Sequence, residues 1–450
     1  MKPTQEQIDA IQAARAGESF PLIAVAGSGK TTTLRLIAEE LKAKRVLFLA
    51  FNRSVAEEAR RKFPPNTTVS TAHGFAFGQV VRGTPYEAKF RGSFGASAIL
   101  EHMEVEEVLG YSRVAVAIAI SEATKALLYG AEPQLPESLK GLDEKEARTF
   151  LGYIKAKAQE AIRRMKDPED PFPMAHDAYV QVWAERGGPG LEGYDLVLVD
   201  EAQDLNPTLI APLKAYQAKG GQVIAVGDPR QQIYAWRGAV NAMEAFGGQA
   251  RTLSQSFRFG EAIAEVAREI AGVRVLGNPS VHSQVVSRSG PPEDGAAFVF
   301  RTNARLIVEA ASYSGRYRVQ VLGDTKELQD LVEAGLRLKE GKPTRHPLLA
   351  YFKSYQDLLK AAELSPELKA LRRLLENYRD PLKMLKAISG RGGKGKPQYT
   401  FSTVHKAKGL EWDVVVVGDD FPDPEKAGPE EVNLRYVAAT RAKRLLDLRW

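Results

Sequence analysis

"LIAVAGSGKTTTLRLIAEEL", Leu22–Leu41, is the stretch on which the fold turns. It opens on the apolar run Leu22–Val25, passes through Ala26-Gly27-Ser28-Gly29-Lys30-Thr31, and continues with Leu34, Ile37, Ala38 and Leu41 at helical spacing. The order is strand, glycine loop, helix. Two glycines let a backbone wrap an anion without a Cβ clash, and the amides of the loop and of the helix start point at it. Lys30 is placed to reach the β- and γ-phosphates of ATP, and Thr31 to hold Mg²⁺. A full phosphate loop has Gly where Ala24 stands, and a small residue can serve there. The competing reading is a tight turn with an accidental Lys-Thr.

Working outward, Val46–Phe51 is a second buried strand and Val55–Phe63 a second helix, so the pattern is that of a parallel α/β sheet. Strand signals fade from about Arg82 to Arg186, where Leu, Ala, Glu and Lys dominate, and return at Leu196–Val199 and Val223–Val226. Continuous apolar strands of this kind are buried on both faces. A second α/β unit starts near Leu253, with Ala297–Phe300, Val319–Leu322 and Val414–Val417 as its clearest strands. The expected division is a first lobe at 1–81 and 187–252 with a helical insertion at 82–186, and a second lobe at 253–338 and 398–450 with a reduced helical insertion at 339–397. The basic, glycine-rich stretch from Arg391 to Lys396 reads as a solvated linker.

The chain has 450 residues, 44% hydrophobic and 26% charged, which is ample for several packed cores and unlike a disordered polymer. The net charge of +6 suits a polyanionic partner but does not single one out. Without cysteine there are no disulfides and no thiolate metal sites. The residues Met1–Gln7 carry no apolar leader pattern. Val114–Leu128 is interrupted by Ser121, Glu122, Thr124 and Lys125 short of the roughly 20 apolar residues a membrane span needs. A soluble, cytoplasmic protein with no membrane partner is the expectation.

"VLVDEAQD" places Asp200 and Glu201 at the C-terminal end of a buried strand, where parallel sheets keep their ligands. Asp200 can bind Mg²⁺, and Glu201 can take a proton from an attacking water. An acidic pair after an apolar run is otherwise a solvated strand end. Beside the glycine loop, NTP hydrolysis becomes the default.

Further stretches are "FLAFNRSVAEEA", "STAHGF", "VGDPRQQIYAWRGA", "LSQSFR", "FRTNA", "TVHKAKGLEWDVVVV" and "RYVAATRAKR". In identity and order they resemble the UvrD/Rep/PcrA-like helicases of superfamily one, from Gln7 to about Leu446, and the F-box helicase branch among them, without a visible F-box. The resemblance implies two RecA-like parallel-sheet P-loop NTPase lobes with helical insertions. "HKAKGLEW" resembles the branch that moves 3′ to 5′ on single-stranded DNA. The implied nucleotide site is Ala26, Gly27, Ser28, Gly29, Lys30, Thr31 and Thr32 with Gln7 on the adenine, Phe257 against it and Glu411 on the ribose. Thr4 and Gln7 equally make a helix capping box. Relatives often carry Arg where Thr32 stands. Gln231 is implied as the γ-phosphate sensor, and Arg258 and Arg441 as arginine fingers.

Implied DNA contacts are Phe51, Asn52, His73, Phe75 and His405; both histidines also fit structural roles. In the loop Val226–Ala239, Gln231 and Trp236 are separated by at most roughly 17 Å of chain. Tyr234 and Trp236 can therefore stack on bases, and Arg237 pair with a phosphate, beside the γ-phosphate sensor. Core aromatics are the alternative for Tyr234 and Trp236. The expected partners are single-stranded and tailed duplex DNA, with replication or repair proteins as further candidates, and the expected state is a monomer. A non-motor DNA-binding scaffold with a decayed ATP site and an RNA-directed motor remain as other readings. The intact Lys30, Asp200, Glu201, Gln231, Arg258 and Arg441 speak against decay.

Overall fold

The computed structural model describes residues 2–92, 94–135, 139, 143–234, 242–288, 290, 292–293, 295–323, 325–389 and 396–450. The chain divides into two compact units. The first comprises Met1–Gln79, Trp183–Leu306 and Lys396–Trp450, and the second Val80–Val182 and Ile307–Gly395.

The first unit holds two RecA-like lobes. In the first lobe the strands run in the order Thr67–Thr71, Val46–Ala50, Leu196–Val199, Gln222–Gly227, Phe20–Ala24, Arg251–Leu253, and every pairing is parallel. The apolar runs that the sequence presents as buried are so: each residue of Val46–Ala50, Leu196–Val199 and Gln222–Gly227 is buried. Gln222 is tolerated there because its amide is fully used. Its Nε2 donates to the Ala14 and Glu18 carbonyls, and its Oε1 accepts from Lys44. Helices Gln5–Arg15 and Lys30–Glu40 cover one face around Leu22, Leu34, Ile37 and Phe48.

The second lobe carries, side by side and parallel, Tyr399–Thr403, Ala296–Phe300, Trp412–Val417, Ala442–Leu448 and Gln284–Val286. Helices Glu261–Ala271 and Pro429–Ala439 pack on it. The apolar cluster of this lobe does not stop at its edge: Val25, Ala26 and Ile233 of the first lobe belong to it, together with Phe259, Val404, Ala407, Val437 and Ala438.

The second unit is helical. Arg113–Leu128 is an apolar core helix, buried along most of its length. No helix among the described residues is long and apolar enough to cross a membrane. Glu144–Lys166 starts on Asp143, whose carboxylate accepts from the Glu146 amide at 2.8 Å; Glu144 and Glu146 lie in its first turn and Arg163, Arg164 and Lys166 in its last, matching the helix dipole. Lys89 closes its far end by donating to the Arg164 and Asp167 carbonyls.

Periodicity alone starts the later helical element at 339, whereas the contacts that belong to it begin at Ile307. Helix Thr325–Lys339 is part of it because Leu331, Val332, Ala334 and Leu338 are buried and Gly335 lets Leu375 approach to 2.8 Å of where a Cβ would stand.

Candidate functional site

The strand Phe20–Ala24 delivers the chain into the glycine loop. Gly27 and Gly29 have φ of 74° and 77°, the left-handed region that costs an L-residue. At Gly27 a Cβ would stand 2.6 Å from Arg258 Cβ, so glycine is required for the close approach as well as for φ. The helix that follows starts at Lys30 with no side-chain cap, which leaves its first amides available. The Ser28 Oγ is buried with no hydrogen-bond partner among the described residues. A buried orphan hydroxyl beside uncapped amides is the donor set that an oxyanion such as a nucleotide phosphate satisfies.

Asp200 and Glu201 follow the strand Leu196–Val199. Glu201 has a φ of 50°, a conformation that glutamate adopts at a cost and that concentrates at functional sites. Lys30 Nζ lies 3.0 Å from Glu201 Oε1, and Thr31 Oγ1 donates to Asp200 Oδ2 at 3.4 Å. Gln203 Nε2 donates to the other Glu201 oxygen at 2.5 Å. Burial, and next the Glu201 carboxylate, push Asp200 up to about 7. Burial pushes Glu201 the same way, but Lys30 and Lys408 outweigh it and hold Glu201 down at about 2. Burial lowers Lys30, and the carboxylates of Glu201, Asp228 and Asp200 reverse this and raise it. The result is a desolvated cation flanked by acids of different proton affinity.

The second lobe brings its arginines to the same place. Arg441 is 1% exposed; its Nε donates to Val437 O, its Nη1 to Leu410 O, and its Nη2 to Thr440 Oγ1 and, at 3.4 Å, to Gln231 Oε1. Burial, then the neighbouring Arg258, lower its pKa to about 9. Arg258 donates to Glu411 Oε2 at 2.7 Å and to Thr440 O at 2.8 Å, so Glu411 is an ion-pair partner of Arg258 in this structure. A cleft of about 610 Å³ is lined by Gly27–Thr32, Phe51, Asn52, Asp200, Glu201, Gln231, Tyr234, Arg258, Lys408, Glu411 and Arg441.

Gln7 and Phe257 lie at the edge of this arrangement. A Cβ at Gly29 would stand 3.5 Å from Gln7 Nε2 and from the Phe257 ring. Gln7 also completes the capping box with Thr4, and its Nε2 donates to Thr33 Oγ1 at 2.9 Å. Phe257 N donates to Gly27 O, a backbone bond between the loop and the second-lobe segment.

An aromatic group borders the cleft. Phe51, 39% exposed, stacks with Tyr234 at 6.2 Å between centroids, and Tyr234 donates to the His405 carbonyl. The His405 ring meets the Ile233 carbonyl at 3.1 Å. Asn52 caps helix Arg53–Lys62, accepting from Val55 N. His73 sits half-buried in the first turn of helix Ala72–Val80.

Phe75, also expected at the DNA, is placed differently from Phe51. It is 8% exposed and packs edge-on against Trp183 and Tyr194, because the helix turns that face into the lobe. Trp236 and Arg237 lie outside the described residues, as does most of the basic loop from Arg391 to Lys396.

Sequence reasoning missed four participants. Lys408, its side chain 5% exposed, pairs with Asp204, donates to Gln231 O at 2.7 Å, and stands over the Tyr234 and Phe51 rings at 5.1 and 5.7 Å. Asp228 accepts from Gln231 Nε2 at 2.7 Å, and its own amide donates to Gln203 Oε1. The signal was present, since all four (Lys408, Asp204, Asp228, Gln203) stand inside the stretches that carry the resemblance.

Comparison with known proteins agrees with this geometry. The AAA domain family matches residues 7–237, and the UvrD-like helicase C-terminal domain family matches residues 304–450. F-box DNA helicase 1 of Gallus gallus is 29% identical over 485 aligned positions, covering 96% of this chain and 47% of that protein. F-box DNA helicase protein 1 of Schizosaccharomyces pombe is 27% identical over 504, covering 96% and 55%. The chain thus spans about half the length of these relatives. Two RecA-like lobes, a glycine loop facing an acidic strand end, and these matches across both lobes place the chain in the UvrD-like helicase family.

Proposed function

We propose that this chain is an ATP-dependent DNA helicase that moves 3′ to 5′ along single-stranded DNA, with hydrolysis in the cleft coupled to the aromatic group beside it. One observation carries the reading: Arg258 and Arg441 of the second lobe reach the cleft that holds Lys30, Glu201 and Gln231 of the first. A guanidinium arriving from another lobe stabilises charge spread over a transferring phosphoryl group, and does so only when the lobes are correctly set.

In this reading the Ala26–Thr32 loop and Lys30 hold the phosphates, Thr31 and Asp200 hold Mg²⁺, and Glu201 takes the proton of the attacking water. The bound metal would neutralise phosphate charge. Gln231 orients the water, while Gln7 and Phe257 take the adenine. Glu411 exchanges Arg258 for the ribose. Phe51 and Tyr234 stack on bases, each contact worth about 1–3 kcal/mol whatever the sequence. Asn52, His73, Trp236, Arg237 and His405 complete the strand path. Tyr234 lies three residues after Gln231, so a shift at the sensor moves a base-holding ring. The polarity rests on the likeness of "HKAKGLEW". Both fingers come from the same chain as the loop, which supports a monomeric working unit acting on single-stranded and tailed duplex DNA.

The test is ATP turnover with and without oligo(dT), followed by unwinding of 3′- and 5′-tailed duplexes. The expected outcome is turnover stimulated by the oligonucleotide and unwinding of the 3′-tailed substrate. Arg441→Ala is expected to bind ATP and turn over about a thousandfold more slowly. Unwinding of only the 5′-tailed duplex would overturn the polarity, and a normal rate in Arg441→Ala the interlobe site.

A further inference from the structure

We propose that Tyr436 is a positioning residue whose hydroxyl sets where the Arg441 guanidinium stands relative to the phosphate loop; the inference rests on the reading of Arg441 as a finger. Tyr436 lies on the second-lobe helix Pro429–Ala439 and is fully buried. Its oxygen accepts from the Ala26 amide at 3.2 Å, and the Asp228 carboxylate is close enough to raise its pKa. Both neighbours belong to the first lobe. Ala26 begins the phosphate loop, and Asp228 opens the turn that carries Gln231.

A buried tyrosine ordinarily satisfies its hydroxyl on whatever polar group is near, and a core role would need nothing more. Here the two neighbours are the loop that approaches the phosphates and the acid that orients the sensor. Asp228 accepts from Gln231 Nε2, its amide donates to Gln203 Oε1, and Gln203 Nε2 donates to Glu201. The hydroxyl therefore ties the start of the phosphate loop to the second-lobe helix, beside the acid that holds the sensor.

Arg441 stands just beyond that helix, which ends at Ala439 with Thr440 as its cap. The Arg441 Nε bonds back to Val437 O, one residue after the tyrosine. The last helical turn after Tyr436 and this back-bond make a short, stiff arm, so displacing the hydroxyl displaces the guanidinium. Burial, and next the Asp228 carboxylate, raise the Tyr436 pKa well above that of an ordinary phenol, so the hydroxyl keeps its proton and remains a donor.

The experiment is a double-mutant cycle with Tyr436→Phe, Arg441→Ala and the pair, in the full chain. Oligo(dT)-stimulated kcat, KM for ATP, the Kd of a fluorescent ATP analogue, and the thermal midpoint are read for each. Tyr436→Phe keeps the ring and removes only the oxygen. It is expected to lower kcat about tenfold, to leave KM and the analogue Kd within about threefold, and to cost nothing further on top of Arg441→Ala. Three results overturn the inference alone, provided Arg441→Ala is slow: an unchanged kcat in Tyr436→Phe, the same loss repeated in the Arg441→Ala background, or a loss that follows the folded fraction measured by circular dichroism. A Tyr436→Phe chain that does not fold at all counts with the last of these, as the signature of a purely structural hydroxyl. If Arg441→Ala itself turns over normally, the finger assignment falls, and the inference with it.

Discussion

At the scale of the residue, the cleft is built from groups whose chemistry was visible one at a time and whose contacts were not. Gly27 shows why. A glycine before Ser-Gly-Lys-Thr is read as a turn residue that meets phosphate. In the fold it also carries the second lobe on its back: a Cβ there would stand 2.6 Å from Arg258 Cβ and 2.7 Å from Ser256 Oγ, at a φ of 74°. Gly27→Ala is therefore expected to destabilise the chain by at least about 2 kcal/mol, from left-handed strain plus overpacking, and to raise KM for ATP. Urea unfolding and ATP titration of the same preparation check both, and an alanine variant of unaltered midpoint would contradict the close approach.

Lys30, Asp200 and Glu201 were legible because an apolar run followed by Gly or Asp has few other uses in a parallel sheet. Tyr436 and Lys408 were not, because what sets them apart is a partner some two hundred or more residues away. Phe75 shows the converse: an aromatic beside a motif histidine looks the same in a string whether it faces a strand of DNA or, as in the fold, Trp183.

At the scale of the element, strands were easier to place than helices. Runs buried on both faces are continuous in the sequence, whereas a helix such as Thr325–Lys339 shows its stripe without showing what covers it. The segment after that helix offers a sharp test. His346 Nδ1 accepts from the Leu348 and Leu349 amides at 3.2 and 3.3 Å, a role only the unprotonated nitrogen can fill. Burial lowers its pKa from 6.5, against the opposing pull of Glu367, Asp330 and Glu327. Below 6.5 the unfolded chain binds the proton more readily than the folded one, so this contribution to stability is complete above about pH 6.5 and is lost as pH falls through the folded value. The difference in urea midpoint between the parent chain and His346→Gln is expected to shrink from pH 7.5 to pH 5.5. A difference that stays constant across that range would show that the ring does not titrate in the fold.

At the scale of the whole molecule, the first unit is two sheets that share an interior. Val25, Ala26 and Ile233 come from the lobe of the phosphate loop, yet they pack with Phe259, Val404, Ala407 and Val437. Apolar area shared in this way makes neither lobe complete alone. Calorimetry on the full chain is expected to show the two lobes melting in one transition, and two separated transitions assignable to them would refute a common interior. The same feature says what a truncation would yield. A fragment ending at Leu253 would keep its sheet but lose the cover over Val25, Ala26 and Ile233. The product would be an adhesive half that self-associates in solution, and designers of minimal nucleotide-binding fragments from this chain would have to recoat those three positions with polar residues first.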